Sequence, residues 1–397
     1  MTNSDLLRAT FMAALSASGA VQDQKVLAAF RDIPRGTFVP YYFTQTPERS
    51  GWVLVESSND QWAEEVYSNK PLITQLNGDD TLTQIAREGQ TVNGVSTSSS
   101  SAPSLMALML EALDVQDGNQ ILEIGTGTGY NTALLCHHVG PDQVTSIDID
   151  PGLVSWARER LATFDYAPHL ATLDGTAGCA ARAEFDRVIA TVAVPSVPQE
   201  WIAQTRAGGV ILLPLDRNNC GGLLVRLTVR SDGIAQGRFL PDFGGFMPVR
   251  LLNRHDAADH AFRTIENGQG DARRTSLSAD LITQESSPFE FFAALTVLGG
   301  GWNYLTFTPD NGGPVETWFG QNDGSWLCHT TAADGTHTVG QGGPTRLWDR
   351  VETAYRQWQQ IGQPTRDRFG LTVHDGQHFI WLDHPDGPHH WTLATAS

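Results

Sequence analysis

Three glycines at alternate positions, Gly125, Gly127 and Gly129, follow a short apolar run, Gln120 to Ile124, and precede a helical stretch. Glycines between a strand and a helix let the backbone turn sharply and bring its amides close to a ligand. Glu123 and Thr126 belong to the same loop, Glu123-Ile124-Gly125-Thr126-Gly127-Thr128-Gly129. The dinucleotide fingerprint G-x-G-x-x-G needs its third glycine at position 130, where this chain has Tyr130. Two acids follow at the ends of the next apolar runs. Asp148 stands where a carboxylate accepts both hydroxyls of a ribose. Asp174, followed by Gly175, is placed to take an adenine amino group. Each feature also has a plain structural reading, Gly125 as a tight turn and Asp148 as the cap of the helix after it.

The formal net charge is −18, from 44 acids against 26 bases. That excludes a nucleic-acid ligand, whose phosphates need a basic face, and leaves a neutral or cationic partner. No run approaches the roughly 18 to 20 apolar residues of a membrane span. The N-terminus is poor in basic residues and reads as an amphipathic helix rather than a signal peptide, so a cytoplasmic location is expected. Cys136, Cys179, Cys220 and Cys328 form no CxxC pair and are expected as free thiols, and the histidines show no metal spacing.

The elements that must position these residues form two textures. Helices are expected over Ser4 to Ala17 and Asp23 to Asp32, the second stopped by Pro34. A polar stretch from Gln45 to Ser101 carries few regular signals and ends in a serine-rich run that reads as a flexible loop. From Ser104 onward strands and helices alternate. Strands are expected at Gln120 to Ile124, Val144 to Ile147, His169 to Leu173, Arg187 to Thr191 and Gly209 to Leu215. Helices are expected at Ser104 to Leu113, Asn131 to His138 and after Pro151. That rhythm implies an α/β domain of Rossmann type with a mostly parallel sheet. After about residue 235 it gives way to Gly, Pro, Trp and Phe. A C-terminal α+β domain is expected over 260–397, after a first domain spanning 1–250 with a substrate-side insertion at 45–101. Trp302, Trp318, Trp326, Trp348, Trp358, Trp381 and Trp391 fall in it, as core or as a peptide-binding surface.

The glycine loop resembles the E-x-G-x-G-x-G loop of class I methyltransferases, whose ligand presents a methionine carboxylate and a nucleoside. Further blocks resemble the protein-L-isoaspartate O-methyltransferases. These are Ile33-Pro34-Arg35 with Phe38-Val39-Pro40, Ser101-Ala102-Pro103, Asp174-Gly175 with Gly178, Phe185 to Ile189, and Ala207-Gly208-Gly209. The resemblance covers roughly residues 5 to 230. It implies S-adenosyl-L-methionine as cofactor, S-adenosyl-L-homocysteine as product, and Glu123, Gly125, Thr126, Gly127, Gly129, Asp148, Asp174 and Gly175 around it. The family's A-Y-x-D motif stands here as Val66-Tyr67-Ser68-Asn69, with asparagine for aspartate. With the serine run and the block Gly342 to Asp349, this is similar to a branch associated with ribosomally made peptides such as lanthipeptides and graspetides. That resemblance implies a cyclised precursor peptide as partner, esterified on an aspartate side chain that then collapses to aspartimide and, in some cases, isoaspartate.

An aspartyl carboxylate, with a reference pKa of about 4, is already ionised at neutral pH and needs no general base. Catalysis then rests on alignment of oxygen, methyl carbon and sulfur. Ser101 is the expected catalytic hydroxyl, by resemblance to the family's S-Q-P serine, unless it only caps the following helix. Ser98, Ser99, Ser100, Tyr67 and Asn69 are the expected substrate contacts. The competing expectations are a repair enzyme for isoaspartyl proteins and a cofactor-binding module without turnover.

Overall fold

The structure, a computed structural model, describes residues 3–17, 21–48, 50–217, 222–250, 272–284, 287–297, 302–309, 312–321 and 323–393. The chain divides into two compact units. Unit one holds Met1–Val192, Glu200–Leu212 and Thr228–Ser231, and unit two holds the remainder.

Unit one opens with α1 (Asn3–Ala17), α2 (Gln24–Asp32) and the short α3 (Arg35–Phe38). Asp23 caps α2, accepting from the Lys25 amide at 2.7 Å. The polar stretch expected as loop is instead ordered. Strands β1 (Tyr41–Gln45), β2 (Trp52–Glu56), β3 (Leu72–Leu76) and β4 (Ser96–Ser100) form an antiparallel sheet in the order β2-β1-β3-β4. Helices α4 (Asp60–Val66) and α5 (Asp80–Arg87) lie in its connections. Tyr41, Phe43, Leu76, Ala86 and Val92 build its core. The serine run is β4 itself, with Ser100 opposite Leu72 and Ser99 opposite Ile73. Serine has little intrinsic taste for strands, so pairing with β3 decides the conformation.

The remaining elements follow the expected alternation: α6 (Pro103–Leu113), β5 (Ile121–Ile124), α7 (Tyr130–Val139), β6 (Val144–Asp148), α8 (Pro151–Ala162), β7 (His169–Thr172), β8 (Phe185–Ala190), α9 (Gln199–Ala203) and β9 (Thr205–Leu215). Strands β5 to β9 are parallel, in the order β7-β6-β5-β8-β9. The apolar faces of β5 and β8 are buried on both sides, which is why they read as continuous apolar runs.

Unit two contains β10 (Gly222–Val229) through Leu227, β11 (Ala235–Gly244), β12 (Arg273–Thr275), α10 (Asp280–Thr283), α11 (Pro288–Thr296), β13 (Trp302–Phe307), β14 (Val315–Gln321), β15 (Trp326–Thr331), β16 (His337–Gly342), α12 (Leu347–Gln360), β17 (Phe369–His374), β18 (Gln377–Leu382) and β19 (His390–Thr392). Five strands form one sheet, β12-β16-β15-β14-β13. The unit takes up chain well before the expected start at 260, a position that itself lies outside the described residues. The reason is pairing: Ala235 to Arg238 of β11 lie opposite Val373 to Gly370 of β17.

Several tryptophans are core. Trp348 is fully buried, Trp358 packs on Phe289 with ring centroids 5.6 Å apart, and Trp381 is buried. Trp326 is buried beside the half-buried Trp318, while the Trp302 side chain lies outside the described residues. Cys136 and Cys179 are buried free thiols, Cys328 is half-buried, and Cys220 lies outside the described residues. No helix among the described residues is long and apolar enough to cross a membrane.

Helices α7 and α8 meet at a glycine. A Cβ on Gly129, whose φ is +83°, would stand 2.9 Å from the Ala157 Cβ. Gly129→Ala is therefore expected to lower stability by about 2 kcal/mol through backbone strain and overlap. Urea denaturation checks this, and an unchanged midpoint would contradict the packing.

Candidate functional site

The site is built where β4 crosses the loop between β5 and α7. Gly125 allows the first turn of that loop: its φ is +98°, and a Cβ there would fall 2.7 Å from Thr191 Oγ1. The Gly125 carbonyl accepts from that same hydroxyl at 2.7 Å. A Cβ on Gly127 would lie 3.7 Å from both Ser98 Oγ and the Ser99 carbonyl, so the serine strand passes directly over the loop.

Asp148, at the end of β6, accepts from the Gly127 amide at 2.9 Å and from the Asp150 amide at 3.1 Å. It thereby holds the middle of the glycine loop, and a carboxylate retains further lone pairs for ligand hydroxyls. The helix cap after β6 is Asp150, which accepts from the amides of Gly152 and Leu153. The structural alternative for Asp148 therefore falls away. Asp174 Oδ1 accepts from the amide and hydroxyl of Thr176, at 2.9 and 2.7 Å, at the end of β7. Gly175 packs on Ile124, and its carbonyl accepts from the Trp201 indole at 2.8 Å.

Two expected ligands are placed differently. Glu123 is fully buried beneath the loop, accepting from Thr132 Oγ1 at 2.5 Å and Asn131 Nδ2 at 2.8 Å. Its carboxylate therefore braces the start of α7 and does not line the cleft. The Thr126 hydroxyl, also buried, shares a 2.7 Å hydrogen bond with Ser146 Oγ. Burial pushes the Glu123 carboxyl up to about 7, against the hydrogen bonds from Thr132, Ser146 and Asn131.

On the opposite wall, the key residue was quoted in the sequence only as part of a motif. Arg35 is 2% exposed. Its guanidinium donates to Ser100 Oγ at 3.0 Å and to the carbonyls of Val66, Ser68, Lys70, Ser100 and Ser101 at 2.9–3.3 Å. It makes no ion pair among the described residues. Burial pushes it down to about 10. A charged side chain in the R-x-x-F-V-P block, between apolar neighbours, is the signal that marks it.

The substrate-side candidates separate accordingly. The Ser98 hydroxyl accepts from Thr74 Oγ1 at 3.2 Å, and the Ser100 hydroxyl is held by Arg35. Ser99 and Ser101 are half-buried, and their hydroxyls make no hydrogen bond among the described residues. Ser101 is not the cap of α6. That position is Ala102, which supplies no side-chain bond. Asn69 Oδ1 caps the helix in its place, accepting from the Ser104 amide at 2.9 Å. The expected role of Asn69 in a peptide groove is corrected to this extent: its oxygen is committed to a helix end. Tyr67 is half-buried, its hydroxyl 3.0 Å from the Cβ position of Gly36.

Comparisons with known proteins bear on the family and the fold. A family model described as protein-L-isoaspartate(D-aspartate) O-methyltransferase matches residues 58–239. The protein-L-isoaspartate O-methyltransferase of Thermococcus onnurineus is 29% identical over 257 residues, covering 64% of this chain and 97% of its own. That of Anaeromyxobacter dehalogenans is 32% identical over 234 residues, covering 58% of this chain and 90% of its own. A solved structure of a protein-L-isoaspartate O-methyltransferase aligns with 95% of this chain and 100% of its own, at 19% identity and a TM-score of 0.52, which is a likeness of fold.

Two predictions follow from the walls of the site. Arg35→Lys keeps the charge but loses the planar fork, leaving buried carbonyls unpaired. It is expected to cost about 3 kcal/mol and to speed amide exchange across Ser96–Ser101, measured by hydrogen-exchange mass spectrometry. Exchange unchanged in that strand would refute the clamp. Glu123 carries a folded pKa of about 7 against an ordinary 4.5. A raised carboxyl pKa favours the folded state below the unfolded value and loses that contribution as pH rises through the folded one. Stability should thus fall between about pH 4.5 and 7 in a way that Glu123→Gln abolishes, read from denaturation midpoints across that window.

Proposed function

Because the chain belongs to the protein-L-isoaspartate O-methyltransferase family, we propose that it esterifies an aspartate side-chain carboxylate of a ribosomally made, cyclised peptide. The coarser activity is S-adenosyl-L-methionine-dependent carboxyl O-methyl transfer. The observation that carries the finer reading is the serine strand laid over the glycine loop, with Ser101 at its end holding a hydroxyl that no protein group engages among the described residues.

The cofactor fits the loop by its shape: a side chain at Gly125 would collide with Thr191, and acids stand at the ends of the next two strands. Gly125 and Gly127 would approach it through their backbone, Asp148 would accept from its ribose and Asp174 from its adenine. Bound there, it supplies an electrophilic methyl group on a sulfonium. The chain's own groups then have a limited task. Ser101 donates to the substrate carboxylate and fixes its direction without protonating it. Arg35 fixes Ser101 by holding its carbonyl at 3.1 Å. Asn69, where the family motif has aspartate, caps α6 and so supports the same serine from the other side. After transfer, the backbone nitrogen following the esterified residue attacks the ester carbonyl. Its proton leaves with methoxide as methanol, and a succinimide remains.

The second reading, repair of isoaspartyl proteins, is favoured by the names of the relatives, which are protein-L-isoaspartate O-methyltransferases. Intact mass over time separates the two on a panel of a cyclised precursor, its linear form and a short isoaspartyl peptide. Gain of one methyl followed by loss of methanol on the cyclised peptide alone is the expected result. Methylation of the isoaspartyl peptide with the cyclised one untouched would replace the first reading by the second. Ser101→Ala is expected to lower kcat/KM by about tenfold to a hundredfold, the worth of one charge-assisted hydrogen bond, with cofactor affinity unchanged.

A further inference from the structure

The serine strand is held at both ends. Arg35 holds the carbonyls of Ser100 and Ser101, and Gln75 of β3 holds Thr97, whose hydroxyl donates to Gln75 Oε1 at 2.8 Å. Gln75 is only 2% exposed. Its amide nitrogen donates in turn to Asp150 Oδ2 at 2.9 Å. An irregular pairing of β3 with β4 makes this reach possible. Ile73 pairs with Ser99, Gln75 with Ser98 and Leu76 with Ser96, so one residue of each strand is passed over, Thr74 and Thr97. As a result Thr74, Gln75 and Leu76 are all buried, where a regular strand would alternate.

Asp150 joins this pair to the cofactor acid. Its carboxylate caps α8, and its own amide donates to Asp148 Oδ1 at 3.1 Å. Asp148 Oδ2 accepts from the Gly127 amide at 2.9 Å, and the Cβ position of Gly127 lies 3.7 Å from Ser98 Oγ. The contacts close a circuit that runs from the glycine loop through Asp148, Asp150, Gln75 and Thr97 back to the serine strand. Gln75 suits the middle of it, because a side-chain amide donates at one corner and accepts at the other. Strand β4 is the edge of its sheet, with β3 as its one neighbour in the order β2-β1-β3-β4. Its order therefore depends more on such side-chain ties than that of a central strand does.

We propose that Gln75 is a positioning residue that carries occupancy of the cofactor site, registered at Asp148, to the serine strand. S-adenosyl-L-methionine bound first then firms the wall that the substrate meets. A ribose on Asp148 would fix the Gly127 loop and exclude water from the two carboxylates. In the drier surroundings the bond from Gln75 to Asp150 strengthens, and Thr97 is held with it. The coupling is reciprocal, so a substrate that orders the strand tightens the cofactor by the same factor. The inference rests on the reading that the ribose of the cofactor meets Asp148.

The test uses the full chain with S-adenosyl-L-homocysteine as the probe and hydrogen-exchange mass spectrometry as the readout, so it needs no peptide and no turnover. In the unaltered protein, amide exchange across 96–101 is expected to slow about fivefold to tenfold when the probe is bound. Gln75→Met, which keeps the length without the hydrogen bonds, should cut that slowing to about twofold or less while the probe still binds. Thr97→Val, which leaves the bond from Gln75 to Asp150 in place, should do the same, and the double variant should lose no more than either alone. A Gln75 that only supports the fold would speed exchange in the free and the bound protein alike and leave their ratio unchanged. That result, or a strand in the unaltered protein that does not respond to the probe, overturns the proposal. If Gln75→Met does not fold, Thr97→Val decides. Absence of probe binding by calorimetry overturns the cofactor reading and the inference with it. Binding without a response in the strand overturns the inference alone.

Discussion

The junction of α3, the loop after α4 and the end of β4 depends on a single buried cation. Arg35 has no carboxylate partner among the described residues, so its charge is solvated by carbonyl dipoles drawn from two separate segments, 66–70 and 100–101. Removing a guanidinium from water costs several kcal/mol, and only a nearly complete set of hydrogen bonds offsets this. The offset is available in one arrangement alone, with the loop after α4 and the end of β4 both turned toward α3. The fork geometry of arginine therefore fixes where the serine strand ends, and with it the position of Ser101.

The same logic extends along α6. Its N-terminus is capped by Asn69, and its last carbonyls are held by Arg187 of β8, which donates to Leu113 at 2.8 Å and to Asp114 at 2.6 and 2.9 Å. Both ends of one helix are thus tied to side chains remote in sequence, and its N-cap residue Ala102 supplies no side-chain cap of its own. Beneath the cofactor loop, Glu123, Thr132, Ser146 and Thr126 form a buried polar chain that ties the first turn of α7 to β6. Satisfied networks of this kind rigidify what they join. Gly127 lies between the two supported walls, held by Asp148 on one side and facing Ser98 on the other.

The legible part of the sequence was the part governed by local rules. Strands β5, β6 and β8 are buried on both faces or nearly so and read as apolar runs, and Pro151 opens α8 where it is tolerated best. The glycines announced the loop because their backbone angles exclude most other residues. What stayed hidden was set by non-local pairing. The serine run is a strand because β3 receives it, and a flexible-loop composition describes it equally well until that partner is known. Glu123 sat in a motif associated with ligand binding, yet its burial makes it a brace. The Asn69 substitution looked like a change in recognition, whereas its oxygen serves a helix end. The unit boundary was misplaced because β11 finds its partner more than a hundred residues later, in β17.

The block Gly342 to Asp349 belongs to this same class of feature. Trp348 of that block is fully buried, its indole donates to Thr275 Oγ1 at 2.9 Å, and its amide donates to Gln341 Oε1 at 2.8 Å. Asp349 pairs with Arg273 at 2.7 Å. The block is a turn that locks α12 onto β12 and β16, so a resemblance carried by these residues concerns how unit two folds. Within the block, Gly343, Pro344, Arg346 and Asp349 stay exposed. A peptide meeting the block would touch these residues and neither Leu347 nor Trp348, which are buried.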